Sequence, residues 1–258
     1  MNVLVLVSGT ADPKWPLPPR LDAEALEAHA RRCAVLSPFD EAALELALKL
    51  RDADLSVHIT AVVAADEGLA RQAANLRLDA VYRFDERRLG PWSARAFAMA
   101  LAAALGQLDR SADLVLAGRE FGDLDDGSVP PLLARAMGLP CVSLALSVAA
   151  DADGLWVTRQ RGPFMERQRL AGPTLLAVTN DTHNRLRHPL LKNVMAARKL
   201  RFAPLAAAIA DGEQPISLGA VQAYTPAPRE GACRMLTGAP AEQAEALAQV
   251  LAGFGGPQ

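Results

Sequence analysis

Apolar positions along the chain fall into short continuous runs separated by stripes at helical spacing. Asn2–Val7 (NVLVLV), residues 57–64 (VHITAVVA), 79–84 (DAVYRF) and 114–117 (LVLA) read as strands buried on both faces, as in parallel sheets. Between them, Ala43, Leu44, Ala47, Leu48 and Leu50 form a helical stripe. It follows Ser37-Pro38-Phe39-Asp40-Glu41, where a serine, a proline and acids mark a helix start. A second helix is predicted to end near Leu78, and a third, alanine-rich, over residues 91–108. The order β-α-β-α-β-α-β-α predicts an α/β fold with a doubly wound, mostly parallel sheet. Ligands of such sheets gather beyond the carboxyl ends of the strands. The long polar, proline-rich loop at residues 8–20 lies at that edge.

After residue 140 the rhythm changes. Residues 141–148, 155–161, 164–170 and 174–179 are strand-like with short connections, and Asp153-Gly154 suits a hairpin turn. Antiparallel hairpin strands are therefore expected to extend the sheet. A basic segment follows, with Arg185, Arg187, Lys192, Arg198, Lys199 and Arg201 around Leu190 and Leu191, and a short helix over 189–198. Its charges read first as a solvated face; the leucines among them call for a functional reading too. Beyond Pro204, prolines and glycines recur, and the chain closes on AEQAEALAQVLAGF. The expected organisation is an α/β domain over 1–200. An extended arm and terminal helix over 201–258 would pack on a partner subunit.

Composition narrows the function. A net charge of −2 argues against a general nucleic-acid or membrane-surface binder. Cys33, Cys141 and Cys233 are scattered and odd in number, which suggests a reducing compartment and no metal site. The four histidines form no ligand cluster. Met1 leads straight into a strand, and the most apolar helix is interrupted by Arg95, so a soluble, cytoplasmic protein without a signal peptide is expected. No nucleophile elbow, zinc-protease motif or Walker lysine occurs.

One stretch gathers chemistry: ADLVLAGREFGDLDDGSVPPLLARAMGLP, residues 112–140. A strand ends at Gly118, a loop with two glycines and three aspartates follows, and Ser128 precedes a helix whose first turn holds Pro130 and Pro131. Free amide donors and a positive helix end would suit a phosphate; a plain βα turn is the alternative. Asp123, Asp125 and Asp126 could hold Mg²⁺ with phosphates, although such acids more commonly shape turns.

Four segments then resemble the β subunit of electron transfer flavoproteins: NVLVLV, SPFDEAALELALKLRD, AGREFGDLDDGSVPPLLARAMGLP and LLKNVMAARK, in matching order and spacing. Val157, Arg159, Glu166 and Pro173 fit the family's hairpin signature, whereas Arg161-Gly162-Pro163 replaces its acidic-Gly-Gly turn. The resemblance implies a sheet of the adenine-nucleotide-binding type and an electron-carrier subunit rather than an enzyme. It implies a structural AMP and an α-subunit partner that carries the redox FAD. Carried over, the nucleotide would touch Leu6, Ser37, Pro38, Phe39, Asp40, Ala64, Gly118, Arg119, Glu120, Phe121, Gly122, Asp123, Leu124, Asp125, Asp126, Gly127, Ser128 and Val129. Phe39 would also lie near the flavin. The family's aromatic in the first loop is replaced by Pro13, with Trp15 two positions on.

Leu191 matches the family's dehydrogenase-recognition leucine, with Leu190, Lys192, Asn193 and Met195 beside it. Lys192 and His188 depart from the pattern and suggest a donor other than the acyl-CoA dehydrogenases. At the nucleotide loop, Val129 and Pro131 follow electron-bifurcating relatives, which bind a second FAD there. Gly127, Ser128 and the large Phe121 match neither pattern. The expected occupant is AMP, with a second FAD or an empty site as alternatives. The implied role is to accept electrons from a flavin dehydrogenase and pass them toward a quinone-linked acceptor. An ATP-using α/β enzyme and a nucleotide-sensing module are the readings from other classes.

Overall fold

The computed structural model describes residues 1–18, 22, 24–25, 28–29, 34–85, 93–122, 125–206 and 235–254. The chain divides into two units, Met1–Val221 and Gln222–Gln258. The first is built on a nine-stranded sheet.

Its strands are β1 (Asn2–Val7), β4 (His58–Val63), β5 (Ala80–Asp85), β6 (Leu114–Gly118), β7 (Cys141–Asp151), β8 (Gly154–Arg161), β9 (Phe164–Arg169), β10 (Thr174–Val178) and β11 (Pro204–Ala206). A separate antiparallel pair joins β2 (Thr10–Ala11) to β3 (Ala34–Val35). The spatial order is β11-β5-β4-β1-β6-β10-β7-β8-β9. Pairings from β11 through β7 are parallel. The β7–β8 and β8–β9 pairings are antiparallel.

Helices cover both faces, and the strand alternation decides which side chain meets which helix. Val3, Val5 and Val7 of β1 join Leu114 and Leu116 against α1 (Pro38–Ala53) and α2 (Glu67–Ala74). Leu4 and Leu6 point the other way, with Val115 and Ala117, toward α3 (Ala94–Leu105) and α4 (Val129–Met137). With both faces covered, alternation disappears from the sequence and the strands read as unbroken apolar runs. The doubly wound α/β sheet with hairpin strands after residue 140 is thus observed.

Three details differ from the sequence reading. Helix α2 stops at Ala74 rather than near Leu78, because Asn75 caps it and Arg77 takes a φ of 58° to turn into β5. Strand β7 is more than a hairpin arm: its first residues pair in parallel with β10 before the rest pairs with β8. Leu144, with φ 58°, sits where β7 slips register against β10, and a second slip, against β8, follows between Ala145 and Ser147. Strand β11 continues the first unit's sheet past residue 200, pairing with β5 through Leu205 and Phe84.

In the second unit, α6 (Pro240–Phe254) is a helix whose first turn is tied by Glu242, which accepts from the Ala239 amide. The expected arm falls mainly on residues 207–234, outside those described. Among the described residues, no helix is long and apolar enough to cross a membrane.

Candidate functional site: the carboxyl edge of β1 and β6

From β1 the sheet grows through β4 and β5 on one side and through β6 and β10 on the other. The carboxyl ends of β1 and β6 therefore flank a topological switch point, where a doubly wound sheet opens a crevice. The start of α1, Ala64 after β4 and the loop after β6 all converge there.

Asp40 organises the first half of this edge. Its Oδ1 accepts from the Ser8 amide (3.2 Å), and its Oδ2 from the amides of Gly9 (2.9 Å) and Ser37 (3.0 Å). The Ser37 hydroxyl in turn accepts from the Asp40 amide at 3.0 Å, which completes a capping box. Burial pushes the Asp40 carboxyl above the ordinary aspartate value, and these donors pull it part of the way back. Gly9 is needed beside it: at φ 73°, an added Cβ would lie 2.5 Å from a Leu69 methyl. Asp40, which the resemblance assigns to the nucleotide, locks the β1 exit to α1 from a buried position.

Phe39, next in that turn, is half-buried, and the Arg119 guanidinium stacks 5.0 Å from its ring centre. Arg119 is also paired with Glu120 at 2.6 Å. The close approach of the two elements depends on Gly118, where a Cβ would fall 2.9 Å from that of Phe39. Pro38 is exposed and Ser37 buried.

The loop after β6 is organised by Asp125. Its Oδ2 accepts from the Phe121 amide (2.8 Å). Its Oδ1 accepts from the amides of Gly127 (3.0 Å), Ser128 (2.7 Å) and Val129 (3.1 Å). The expectation of free amide donors here is corrected by this arrangement. Ser128 does not cap α4 with its side chain; its hydroxyl donates to Asp126 at 2.6 Å. Asp125 and Asp126 thus act as turn formers, and Asp123 and Leu124 lie outside the described residues. Gly122 takes a φ of 92° on the side facing Ser8.

Behind the loop, Leu6, Ala64, Phe121 and Val129 are buried together in the core layer beneath α3 and α4. The Phe121 ring lies 5.7 Å from Phe97, which meets Phe84 edge-on at 5.6 Å. Residues distant in sequence and expected to share a nucleotide are therefore brought into one core cluster.

The basic segment is braced from beneath. Arg187 reaches Glu45 at 2.8 Å and Asp52 at 2.7 Å, and its amide donates to Glu45 at 3.1 Å. These partners push its guanidinium's pKa up. Lys49 donates to the His183 carbonyl (2.6 Å) and to Asn184 Oδ1 (3.1 Å), while Asn184 donates to the Leu146 carbonyl. Beyond this brace, α5 (Leu191–Ala197) carries Leu191, 77% exposed, and Met195, 52% exposed, beside Leu190 at 59%. Lys192 is exposed and Asn193 half-buried. Sequence reasoning missed Glu45 and Lys49 and counted Arg187 among solvated charges. The available signal was an acid at position 45, inside the apolar run of α1.

A family model described as electron transfer flavoprotein domain matches residues 28–210. The chain belongs to the electron transfer flavoprotein family. It is 29% identical over 211 residues to an electron transfer flavoprotein subunit beta of Megasphaera elsdenii, covering 76% of this chain and 78% of that one. It is 26% identical over 205 residues to the subunit beta of Mycobacterium tuberculosis strain H37Rv, covering 77% and 76%. It is also 25% identical over 236 residues to the acryloyl-CoA reductase electron transfer subunit gamma of Anaerotignum propionicum, covering 86% and 88%. At the level of the family, the role is electron transfer.

For an electron transfer flavoprotein chain, the two surfaces described so far are the edge around Phe39 and the braced leucines of α5. A third feature lies at the opposite, amino edge of the strands. It is a cleft of about 760 Å³ lined by Asn2, His58, Thr60, Tyr82, Arg110 and Met137 among others. None of the expected site residues lines it.

Proposed function

We infer that this chain is the β subunit of a heterodimeric electron transfer flavoprotein of the cytoplasm. It would partner an α subunit that holds most of an FAD, accept electrons from a flavin dehydrogenase, and deliver them toward a quinone-linked acceptor. The flavin supplies the redox chemistry; this chain supplies binding, orientation and electrostatics and needs no catalytic residue of its own. Phe39, with Arg119 stacked on it, is the element of the carboxyl edge assigned to the flavin side.

The observation that carries the reading is the pair Leu190–Leu191 with Met195, exposed on α5 while the chain just before it is fastened to α1. Apolar side chains on a held backbone among cations suit a small transient interface. One buried anchor supplies affinity there, and charges steer the approach. The terminal helix supports the partner assignment: Leu247, Val250 and Leu251 are exposed at i, i+3 and i+4 spacing. The terminal helix α6 is accordingly assigned to packing on the α subunit.

The test is co-expression with an α subunit, extraction of flavin from the purified complex, and reduction of that flavin by candidate dehydrogenases in stopped flow. Failure to co-purify with any flavin-bearing chain would sink the reading. A second reading, delivery of electrons within a reductase complex, takes support from the long match to the Anaerotignum propionicum subunit. Two FAD per complex would favour its bifurcating form over the simple carrier.

A further inference from the structure

We propose that the nucleotide site of this chain is closed by the chain itself, with Phe121 in the place of the base and the Asp125 carboxylate in the place of the phosphate. The proposal rests on the β-subunit reading above, because only that reading makes these residues a nucleotide site.

Consider first the phosphate end. A helix start binds an anion through backbone N–H groups and its dipole. Here the amides of Gly127, Ser128 and Val129 already donate to one oxygen of Asp125, and that of Phe121 to the other. The next two residues, Pro130 and Pro131, have no N–H. The following amide, Leu132, donates to the Ser128 carbonyl at 3.2 Å. Every backbone donor from 127 to 132 is therefore spent or missing. A phosphate approaching this turn would meet a carboxylate in the position it needs, and ions of like sign repel.

The base end is filled as well. Phe121 is 6% exposed and stands in one buried cluster with Leu6, Ala64, Val129, Phe84 and Phe97. Three of those partners, Leu6, Ala64 and Val129, are among the apolar residues assigned to the nucleotide. An aromatic ring there gives the cluster the flat, polarizable filling that an adenine would otherwise provide. Opening the site would require moving the ring out of the core and detaching Asp125 from four amides at once. Interiors packed to this degree do not yield such space without loss of stability.

The decisive experiment uses the heterodimer purified with its α subunit. It is denatured, and FAD and AMP are counted separately; the native complex is also titrated with AMP up to millimolar concentration by calorimetry. The expected result is FAD with no stoichiometric AMP and no saturable heat. One AMP per complex, a second FAD, or saturable AMP binding would each overturn the proposal while leaving the β-subunit reading standing. Absence of flavin would strike that reading, and the proposal with it. Phe121→Ala is expected to lower the complex's thermal midpoint by several degrees, whereas Phe121→Leu loses less. A Phe121→Ala complex that melts with the wild type would show that the ring fills no space, and the proposal would fall.

Discussion

Asp40 and Asp125 illustrate how one carboxylate serves the same purpose at two bends of the chain: it collects amides that a sharp turn leaves without carbonyl partners. The Ser37–Asp40 half of the first arrangement is local, three residues apart, and therefore legible as a capping box. Its hold on Ser8 and Gly9 joins residues more than thirty positions away and leaves no local trace. Asp40→Asn would turn an acceptor into a donor facing buried N–H groups. It is expected to cost about 1–3 kcal/mol, the range for orphaned buried polar groups. Ser37→Ala removes only the cap and is expected to cost about 1 kcal/mol. Urea denaturation of both variants, at unchanged slope, checks the order; equal losses would mean that the long-range clamp contributes nothing.

At the scale of elements, the strands were readable because burial on both faces leaves runs without alternation, and α1 because its cap and stripe agree. The brace between α1 and the basic segment was not readable, since the Glu45–Arg187 separation carries no period. Glu45→Gln is expected to destabilise by about 1–2 kcal/mol rather than the ~3–5 kcal/mol of a fully buried pair, because the Arg187 side chain is 41% exposed. The accompanying sign is faster amide exchange over residues 182–190 than over α1. Uniform exchange would contradict a local brace.

The β8–β9 hairpin gives a pH prediction at the same scale. Hydrogen bonds from Arg161 and Arg159 hold the Glu166 carboxyl below the ordinary glutamate range. A depressed folded-state pKa means the stabilisation is present above the ordinary value and is lost as pH falls through the lowered one. Glu166→Gln should therefore be less stable than the wild type near neutrality, and the gap should close in acid. A gap that widens on acidification would reverse the sign and refute the assignment.

For the whole molecule, the proposed function predicts effects that no isolated element shows. Leu191→Ala should leave flavin content and thermal midpoint unchanged, yet weaken the apparent affinity for the dehydrogenase roughly tenfold or more, as loss of an interface anchor does. Salt should slow association of wild type and variant alike, since the surrounding cations act by steering. Unaltered affinity would remove the α5 leucines from the interface. Deletion of residues 235–258 should abolish co-purification with the α subunit while the first unit still unfolds cooperatively; retained co-purification would free the terminal helix of that role.

By itself, the sequence determined the class of the fold, the order of the main strands and helices up to residue 200, and the resemblance that the family comparison then bore out. Those properties depend on residues close together in the chain, where period, capping and turn chemistry act. Tertiary structure alone decided what the loop after β6 does. Gly118, Phe121, Asp125 and the two prolines read as an anion-binding turn, because sequence shows which donors exist but not which acceptor reaches them first. In the folded chain Asp125 turns back on its own amides and Phe121 turns inward to Phe97. Both outcomes are set by close packing across elements, where a short distance outweighs any local preference.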